Sequence, residues 1–305
     1  MGPPLHLLAD ATPECGAGHA MRLASLAEEW AAGAGGVVRL AGEVSIPFVR
    51  ERLAAAGVRV EASGAGPLPG AVLVADSYDA GRRRQGAGAP GAALRVLVDD
   101  LGGEVPAGYD AVWNPSACAT PALYPGFAGE VLAGAAFVPV RTGLPPWRPC
   151  GPGTTAVMLG GGDVPPHLRD ALGRLAAELG EARFRGVGGW TPPGWGGIPA
   201  SDPWREVSGC GVLVTASGSS VWEAAAVGIP MVVVKTAANQ ERVFRWAVES
   251  GAPGVDATSL RDPAALARAL GEAHGRAAPL PRIRPGGAHV ARTLRALAAR
   301  RGAGA

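Results

Sequence analysis

The fold is decided by residues 5–40, which read LHLLADATPECGAGHAMRLASLAEEWAAGAGGVVRL. The two apolar ends of this stretch, Leu5–Ala9 and Val37–Leu40, have the length of buried strands. Between them, apolar residues recur at helical spacing from Met21 to Trp30, and the AAGAGG segment at 31–36 ends that helix. The stretch therefore predicts a strand, a helix and a second strand, which is the unit from which parallel sheets are built.

The same alternation of short apolar runs and helical patterns continues through most of the chain, and it predicts an α/β protein with parallel sheets. In the first half, the further predicted strands are Val58–Glu61, Ala71–Ala75, Arg95–Val98 and Ala111–Trp113. In the second half they are Thr155–Leu159, Arg183–Val187, Gly211–Thr215 and Met231–Val234, with helices near 166–179, 219–227, 239–249 and 263–274.

A segment rich in proline and glycine, VPVRTGLPPWRPCGPG at residues 138–153, separates the two series. Such a segment breaks regular structure and is typical of an interdomain linker. We therefore predict an N-terminal domain at 1–141 and a C-terminal domain at 142–305. The last predicted helix, near 287–301, is rich in Arg and Ala and could be a solvated cap or could cross back onto the first domain.

Length and composition agree with two folded domains. A chain of 305 residues exceeds what one core accommodates well, and it is 48% hydrophobic and 18% charged. The formal net charge of +2, with dispersed arginines, argues against a nucleic-acid partner. The four cysteines form no CxxC pair, so neither a zinc site nor a disulfide framework is indicated. No segment resembles a signal peptide or a membrane span, and we expect a cytoplasmic protein.

The loop that follows the first strand carries the first candidate site. It runs from Asp10 to Arg22, at the carboxyl end of a predicted parallel strand, where ligands bind in open α/β sheets. Gly16 and Gly18 allow the turn and a close approach of ligand to backbone. His19 can exchange a proton near neutral pH, and Arg22, one turn further on, can bind phosphate or carboxylate. The alternative is an ordinary loop with a surface histidine.

The loop after the predicted strand that ends at Thr215 carries the second candidate site. Ser217, Gly218, Ser219 and Ser220 precede a helix whose first amides suit a diphosphate, and Glu223 could accept both ribose hydroxyls. The alternative is that a serine simply caps this helix. The turn made by Gly160, Gly161, Gly162 and Asp163 opens the same domain and is equally ambiguous on its own.

A family resemblance rests on five motifs in order. They are GAGHAMRLASLA at 16–27, ADSY at 75–78, VDD at 98–100, GGGD at 160–163, and SGSSVWEAAAVGIP at 217–230 with NQ at 239–240. The chain resembles the UDP-sugar hydrolases of pseudaminic acid biosynthesis and their spore-coat polysaccharide relatives. That family is similar to the metal-independent glycosyltransferases of the GT-B fold, the MurG type included. The resemblance implies two Rossmann-type domains with parallel sheets facing across a cleft.

The resemblance also implies roles for matching residues. His19 would be catalytic and would activate water at the anomeric carbon, while the serine loop and Glu223 would bind the nucleotide together with Gly160, Gly161 and Gly162. The candidate substrate-binding residues are Asp10, Gly18, Arg22, Tyr78, Asn239 and Gln240. A structural alternative exists for each of them; for example, Tyr78 could cap the sheet edge and Asn239 could cap a helix. The chain departs from the family at Leu8, where the family has an arginine.

These observations predict an enzyme that hydrolyses a nucleotide sugar, most simply a UDP-sugar, without metal or cofactor. The alternative is a glycosyltransferase in which an acceptor hydroxyl replaces water, and three tryptophans, Trp190, Trp195 and Trp204, could then form an apolar wall for the acceptor. Asp99 and Asp100 come close to a metal-binding pair, but their context does not support one. A non-catalytic nucleotide-sugar binding protein is disfavoured, because binding alone does not require His19.

Overall fold

The computed structural model describes residues 2–34, 36–150, 153–160, 164–188, 190–258, 264–274, 276, 278 and 280–302. The chain divides into two compact units. Unit 1 comprises Met1–Thr142 and Arg284–Ala305, and unit 2 comprises Gly143–Ile283. The chain passes from unit 1 into unit 2 between Thr142 and Gly143, which lie in the segment rich in proline and glycine at 138–153.

Unit 1 is built on a seven-stranded sheet in which all neighbouring strands are parallel. Its strands are β1 (Leu5–Leu8), β2 (Val38–Ala41), β3 (Arg59–Glu61), β4 (Val72–Asp76), β5 (Leu94–Val98), β6 (Ala111–Trp113) and β7 (Glu130–Leu132), in the order β3-β2-β1-β4-β5-β6-β7. Its first three helices are α1 (Gly18–Ala34), α2 (Pro47–Ala55) and α3 (Ala80–Ala87).

Both faces of this sheet are buried. Leu5 and Leu7 pack with Leu23 and Trp30 of α1, while Leu8 belongs to a second core on the opposite face. Parallel strands covered on both sides need apolar residues at every position, so they read as continuous apolar runs rather than as an alternation. That is why the central strands could be predicted from sequence.

Gly42 lies where β2 ends beside the end of β1. A Cβ at this position would overlap the carbonyl oxygen of Ala9 and lie 2.8 Å from its carbonyl carbon. We expect Gly42→Ala to lower the free energy of unfolding by about 1–3 kcal/mol, because a backbone carbonyl cannot move aside as a side chain can. Gly64→Ala is the control, since a Cβ at Gly64 meets nothing within 4 Å. Urea denaturation of both variants measures the difference, and equal stabilities would contradict the close approach.

Unit 2 contains a six-stranded parallel sheet. Its strands are β8 (Thr155–Met158), β9 (Phe184–Val187), β10 (Gly196–Ile198), β11 (Val212–Ala216), β12 (Met231–Lys235) and β13 (Gly254–Asp256), in the order β10-β9-β8-β11-β12-β13. Its helices are α4 (Pro166–Leu179), α5 (Trp204–Val207), α6 (Ser220–Val227), α7 (Glu241–Glu249) and α8 (Ala264–Ala273).

The predicted α/β class with parallel sheets is confirmed, and each predicted strand is present with ends shifted by at most one residue. The strands that were not predicted, β7, β10 and β13, are three residues long and lie at sheet edges. Their sequences, EVL, GGI and GVD, contain no run of apolar residues long enough to detect. Within the described residues, no helix is both long enough and apolar enough to cross a membrane.

The C-terminal helix, α9 (Gly287–Gly302), groups with unit 1, whereas the sequence-based boundary placed it in the second domain. Its apolar face explains the difference, because Val290 and Leu294 are fully buried in the core that contains α1. The guanidinium of Arg295 also lies 4.4 Å from the ring centre of Trp30 on α1. Of the two positions that the sequence left open, the helix takes the one on the first domain.

Candidate functional site

The carboxyl ends of three adjacent strands of unit 1 bring together residues that are far apart in the sequence. In the sheet, β1 lies beside β4 and β4 beside β5. The loop after β1 leads into α1 with His19 and Arg22, β4 ends at Asp76, and Asp100 follows β5 by two residues. Because parallel strands end at one edge, these four side chains meet there.

His19 and Asp76 form a hydrogen-bonded pair at this edge. The distance from His19 Nδ1 to Asp76 Oδ1 is 2.6 Å, and the Asp76 side chain is fully buried. An ionised carboxylate can only accept, so Nδ1 carries the hydrogen and, in the neutral ring, the lone pair is on Nε2. Nε2 has no partner in the described part of the chain. Such an arrangement is suited to a general base, because the carboxylate fixes the orientation of the ring.

Arg22 is held by two carboxylates. Its Nε lies 2.5 Å from Asp76 Oδ2, its Nη2 lies 2.6 Å from Asp76 Oδ1, and its Nη1 lies 2.7 Å from Asp100 Oδ2. Burial works to raise the pKa of Asp76, but the charges and hydrogen bonds of Arg22 and His19 outweigh it and lower that pKa to about 2. Arg22 therefore keeps Asp76 ionised. Its N–H groups donate to Asp76 and Asp100, and not to a ligand phosphate or carboxylate as the sequence suggested.

Tyr78 lies beside this pair. Its hydroxyl donates to Asp100 Oδ1 at 2.8 Å, and its ring meets the His19 ring edge-on with centroids 4.8 Å apart. Burial favours a raised pKa for Asp100, but the Arg22 charge and the hydrogen bonds from Arg22 and Tyr78 make the net direction downward. The Tyr78 side chain is 44% exposed, so it remains accessible to a substrate.

The loop before α1 leaves space above the start of the helix. Gly16 has a φ of +76°, which side-chain-bearing residues rarely adopt. Gly18 is the first residue of α1, and a Cβ built on it would meet nothing within 4 Å. The position next to His19 is therefore open, and the close approach of a ligand to it stays a prediction.

Asp10 has a structural role in this arrangement. Its Oδ1 accepts from Arg82 Nη2 at 2.5 Å and from the Glu43 amide at 2.8 Å, and so ties the end of β1 to α3 and to the loop after β2. Asp10 was predicted to bind substrate, but both of its carboxylate oxygens are engaged within the protein, since Oδ2 also accepts from Arg82 Nε at 3.1 Å. Asp99 is likewise engaged, by Arg83 at 3.0 Å. The described residues contain no group of three or more side chains suited to hold a metal ion.

A second set of loops lies at the carboxyl edge of the unit 2 sheet, where β8, β11 and β12 are neighbours. Gly160 follows β8 and has a φ of +90°, while Ser217–Ser220 follow β11 and Asn239 follows β12. Gly161 and Gly162, also predicted to bind the nucleotide, lie outside the described residues. The loops predicted to bind the nucleotide therefore share one edge.

The serine loop divides into structural and accessible parts. Ser217 is buried and its hydroxyl donates to the Val234 carbonyl at 3.0 Å, while the Ser220 and Thr215 hydroxyls are 2.7 Å apart. Ser219 is exposed and its side chain does not cap α6. Among the described residues, no hydrogen bond involves the amides of Ser219 and Ser220. Those two amides, next to the open position at Gly218, are the groups available to a phosphate.

Glu223 accepts a hydrogen bond from the indole of Trp204 at 2.9 Å. Trp204 is fully buried and Trp195 is 8% exposed, packed against Phe184 with ring centroids 5.0 Å apart. The suggestion that these tryptophans form an apolar wall for an acceptor is therefore wrong, because both are core residues of unit 2. The third, Trp190, is partly buried and contacts Trp195 edge-on.

We expect Glu223→Ala to weaken UDP binding by a few kcal/mol at most, as a lost contact to ribose hydroxyls would, and to lower the free energy of unfolding by about 1–3 kcal/mol because the Trp204 indole loses its acceptor. Glu223→Gln is the control, since its amide oxygen can still accept from Trp204. Calorimetry with UDP and urea denaturation separate the two effects. Unchanged affinity in both variants would remove Glu223 from the nucleotide site.

The Asn239–Gln240 pair lies in a short 3-10 turn before α7. The Gln240 side-chain oxygen accepts from the Thr236 amide at 2.8 Å and so stabilises its own loop. Asn239 is exposed, and the residues at the N-caps of the turn and of α7 are Ala237 and Gln240. Asn239 is therefore not a helix cap, and it remains available to a ligand.

Comparison with solved structures identifies the fold. A spinosyn rhamnosyltransferase, SpnG, complexed with spinosyn aglycone superposes with a TM-score of 0.56 at 16% identity, over 97% of this chain and 96% of that one. The calicheamicin glycosyltransferase CalG4 gives 0.55 at 16%, over 99% and 96%. MurG from Acinetobacter baumannii gives 0.52 at 12%, over 96% and 100%. The chain has the GT-B fold. No protein-family model and no curated protein sequence matches it.

Within this GT-B fold, the residue that sequence reasoning missed is Asp76. It lies inside the ADSY motif, but only Tyr78 was assigned a role there. Asp100 was considered only as a metal ligand, whereas it binds Arg22 and Tyr78. The signal that could have found Asp76 is its position directly after a fully apolar predicted strand, Ala71–Ala75. Asp100 gives a weaker signal, because it follows the predicted strand Arg95–Val98 by two residues.

Proposed function

We propose that this chain is a glycosyltransferase that moves a sugar from a nucleoside diphosphate to a hydroxyl acceptor, with His19 as the general base. The observation that carries the proposal is the His19–Asp76 pair, which fixes the proton on Nδ1 and leaves Nε2 as an acceptor beside an open glycine loop. The fold supports it, because SpnG has been solved with spinosyn aglycone and with thymidine diphosphate.

The reaction would proceed as follows. His19 Nε2 removes the proton from the acceptor hydroxyl as its oxygen bonds to the anomeric carbon, and the bond between that carbon and the diphosphate oxygen breaks. Asp76 stabilises the imidazolium that forms. The departing diphosphate carries negative charge, which amides without a partner at the start of a helix are suited to stabilise.

A second candidate is hydrolysis, in which water takes the place of the acceptor. It is favoured by the resemblance of the ordered motifs that contain His19, Tyr78 and Asn239-Gln240 to those of a hydrolase family. The base and the leaving group have the same roles in both reactions. The two candidates therefore differ only in the nucleophile.

The test is incubation with UDP- and dTDP-sugars, with and without a panel of hydroxylated acceptors. Released nucleoside diphosphate is measured with a coupled assay, and products are identified by mass spectrometry. Release that depends on the acceptor and yields a glycosylated product supports the transferase. Release at the same rate without acceptor, yielding free sugar, supports the hydrolase. If no donor is consumed or bound, both candidates are wrong.

A further inference from the structure

The carboxylate of Asp100 holds two residues of the His19 site at once. Its Oδ2 accepts from Arg22 Nη1 at 2.7 Å, and its Oδ1 accepts from the Tyr78 hydroxyl at 2.8 Å. The Asp100 side chain is 21% exposed and that of Arg22 is 9% exposed, so the ion pair is largely shielded from water. A single side chain thus joins the arginine that contacts His19 to the tyrosine whose ring lies against it.

The position of Arg22 matters for the protonation of His19. Arg22 Nη2 lies 3.0 Å from His19 Nδ1, while Asp76 Oδ1 lies 2.6 Å from the same atom. If Nη2 donated to Nδ1, the ring proton would have to be on Nε2, and His19 could no longer accept a proton there. Two of the three nitrogens of the guanidinium are bound by Asp76, and Asp100 binds the third. Asp100 therefore helps to fix the plane in which Nη2 points at Asp76.

We infer that Asp100 is a positioning residue for His19: by holding Arg22 and Tyr78, it keeps the ring proton on Nδ1 and leaves Nε2 free to act as the base. The inference rests on the proposed role of His19 in sugar transfer. Asp100 acts on His19 through Arg22 and does not itself contact the reacting atoms.

The two partners of Asp100 make a specific substitution informative. Both Arg22 Nη1 and the Tyr78 hydroxyl are donors, and a carboxylate can accept from both. In Asp100→Asn, the amide oxygen can still accept from Arg22 Nη1, and the amide N–H can donate to the Tyr78 hydroxyl, which also accepts. The carboxylate charge is lost, so the charge-assisted hydrogen bond to Arg22 becomes weaker. Tyr78→Phe removes only the contact to Tyr78 and leaves the ion pair with Arg22.

The direct readout is ¹⁵N NMR of the histidine rings in the full-length protein without substrate. The chain has five histidines, and the resonances of His19 are assigned by their loss in His19→Asn. We expect the neutral ring to carry its proton on Nδ1 in the native protein. In Asp100→Asn, the tautomer protonated on Nε2 should gain population, and Tyr78→Phe, which leaves the pair of Asp100 with Arg22 intact, should produce a smaller gain.

Asp110→Asn is the matched control. Asp110 pairs with Arg301 at 2.7 Å, is 10% exposed, and precedes β6 at the opposite end of the strand from the site. It should lower the melting temperature without changing the His19 tautomer. With a donor and acceptor, Asp100→Asn should lower kcat by roughly 10- to 100-fold, the loss that misplacement of a catalytic group causes.

The outcomes separate the two proposals. If Asp100→Asn has the same His19 tautomer and the same kcat as the native protein, the positioning role is wrong. If the native protein consumes nucleotide sugars but the tautomer does not respond to Asp100→Asn, the positioning role also fails and the proposed function stands. If the tautomer responds as expected while the native protein consumes no nucleotide sugar, the positioning role stands and the proposed function fails.

Discussion

His19→Asn should lower the turnover of nucleotide sugar by about 10²–10⁴-fold, the contribution that positioned proton transfer makes. Asparagine cannot take a proton from the nucleophile, so the step that depends on Nε2 is lost. Nucleotide affinity should change little, because the loops proposed to bind the diphosphate belong to unit 2. The effect should therefore fall on kcat rather than on binding.

The dissociation constant for the nucleotide, the single-turnover rate and the melting temperature are measured on one preparation. His289→Asn is the control, since it makes the same chemical change at an exposed histidine of α9 that packs against Phe137. A His19→Asn variant with native turnover per folded molecule would exclude the base. A fall in nucleotide affinity equal to the fall in turnover would show that His19 binds the phosphate instead.

The central strands of both units could be predicted from sequence, because each buried strand is a short run of mostly apolar residues. β4 (VLVAD) and β12 (MVVVK) each begin with four consecutive apolar residues, and such runs are typical of a parallel sheet that is covered on both faces. The edge strand β10 contains two glycines in three residues and pairs only on one side. Nothing local distinguishes it from a loop, so only its tertiary context makes it a strand.

His19 could be predicted as a site residue because a glycine loop between a strand and a helix places the following side chain at the ligand edge. Its partner could not, because Asp76 is 57 residues away and reaches His19 only through the order of the strands. In that order β1 has β4 as a neighbour, and β4 has β5. A chain that instead placed β3 beside β1 would leave the same sequence motif without its carboxylate.

Arg22 shows why residue type alone was insufficient. An arginine near a phosphate-binding candidate was read as a ligand contact, yet a buried guanidinium requires carboxylates to offset its desolvation, and here Asp76 and Asp100 supply them. Ser217 and Trp204 are similar cases. Both belong to predicted binding regions, but the orientation of their side chains into the unit 2 interior, which depends on the packing around them, gives them structural roles.

Asp76→Asn should damage both stability and activity. The carboxylate accepts from His19 Nδ1 and from Nε and Nη2 of Arg22, all three of them donors, so an amide must set an N–H group against at least one. Removing one member of a buried ion pair costs about 3–5 kcal/mol, and we expect a loss of that order in the free energy of unfolding. Because the proton on Nδ1 is no longer stabilised, turnover per folded molecule should also fall by about 10²–10⁴-fold.

Urea denaturation gives the stability, and single-turnover kinetics normalised to the folded fraction give the rate. Asp110→Asn provides the comparison, because it also removes the charge of a mostly buried aspartate paired with an arginine, away from His19. It should lose stability and keep its rate.

The double variant His19→Asn with Asp76→Asn decides whether the pair acts as a unit. If it does, the double variant should be no slower per folded molecule than His19→Asn alone, since effects within a catalytic unit are not additive. Rates that multiply would mean that Asp76 contributes independently of His19.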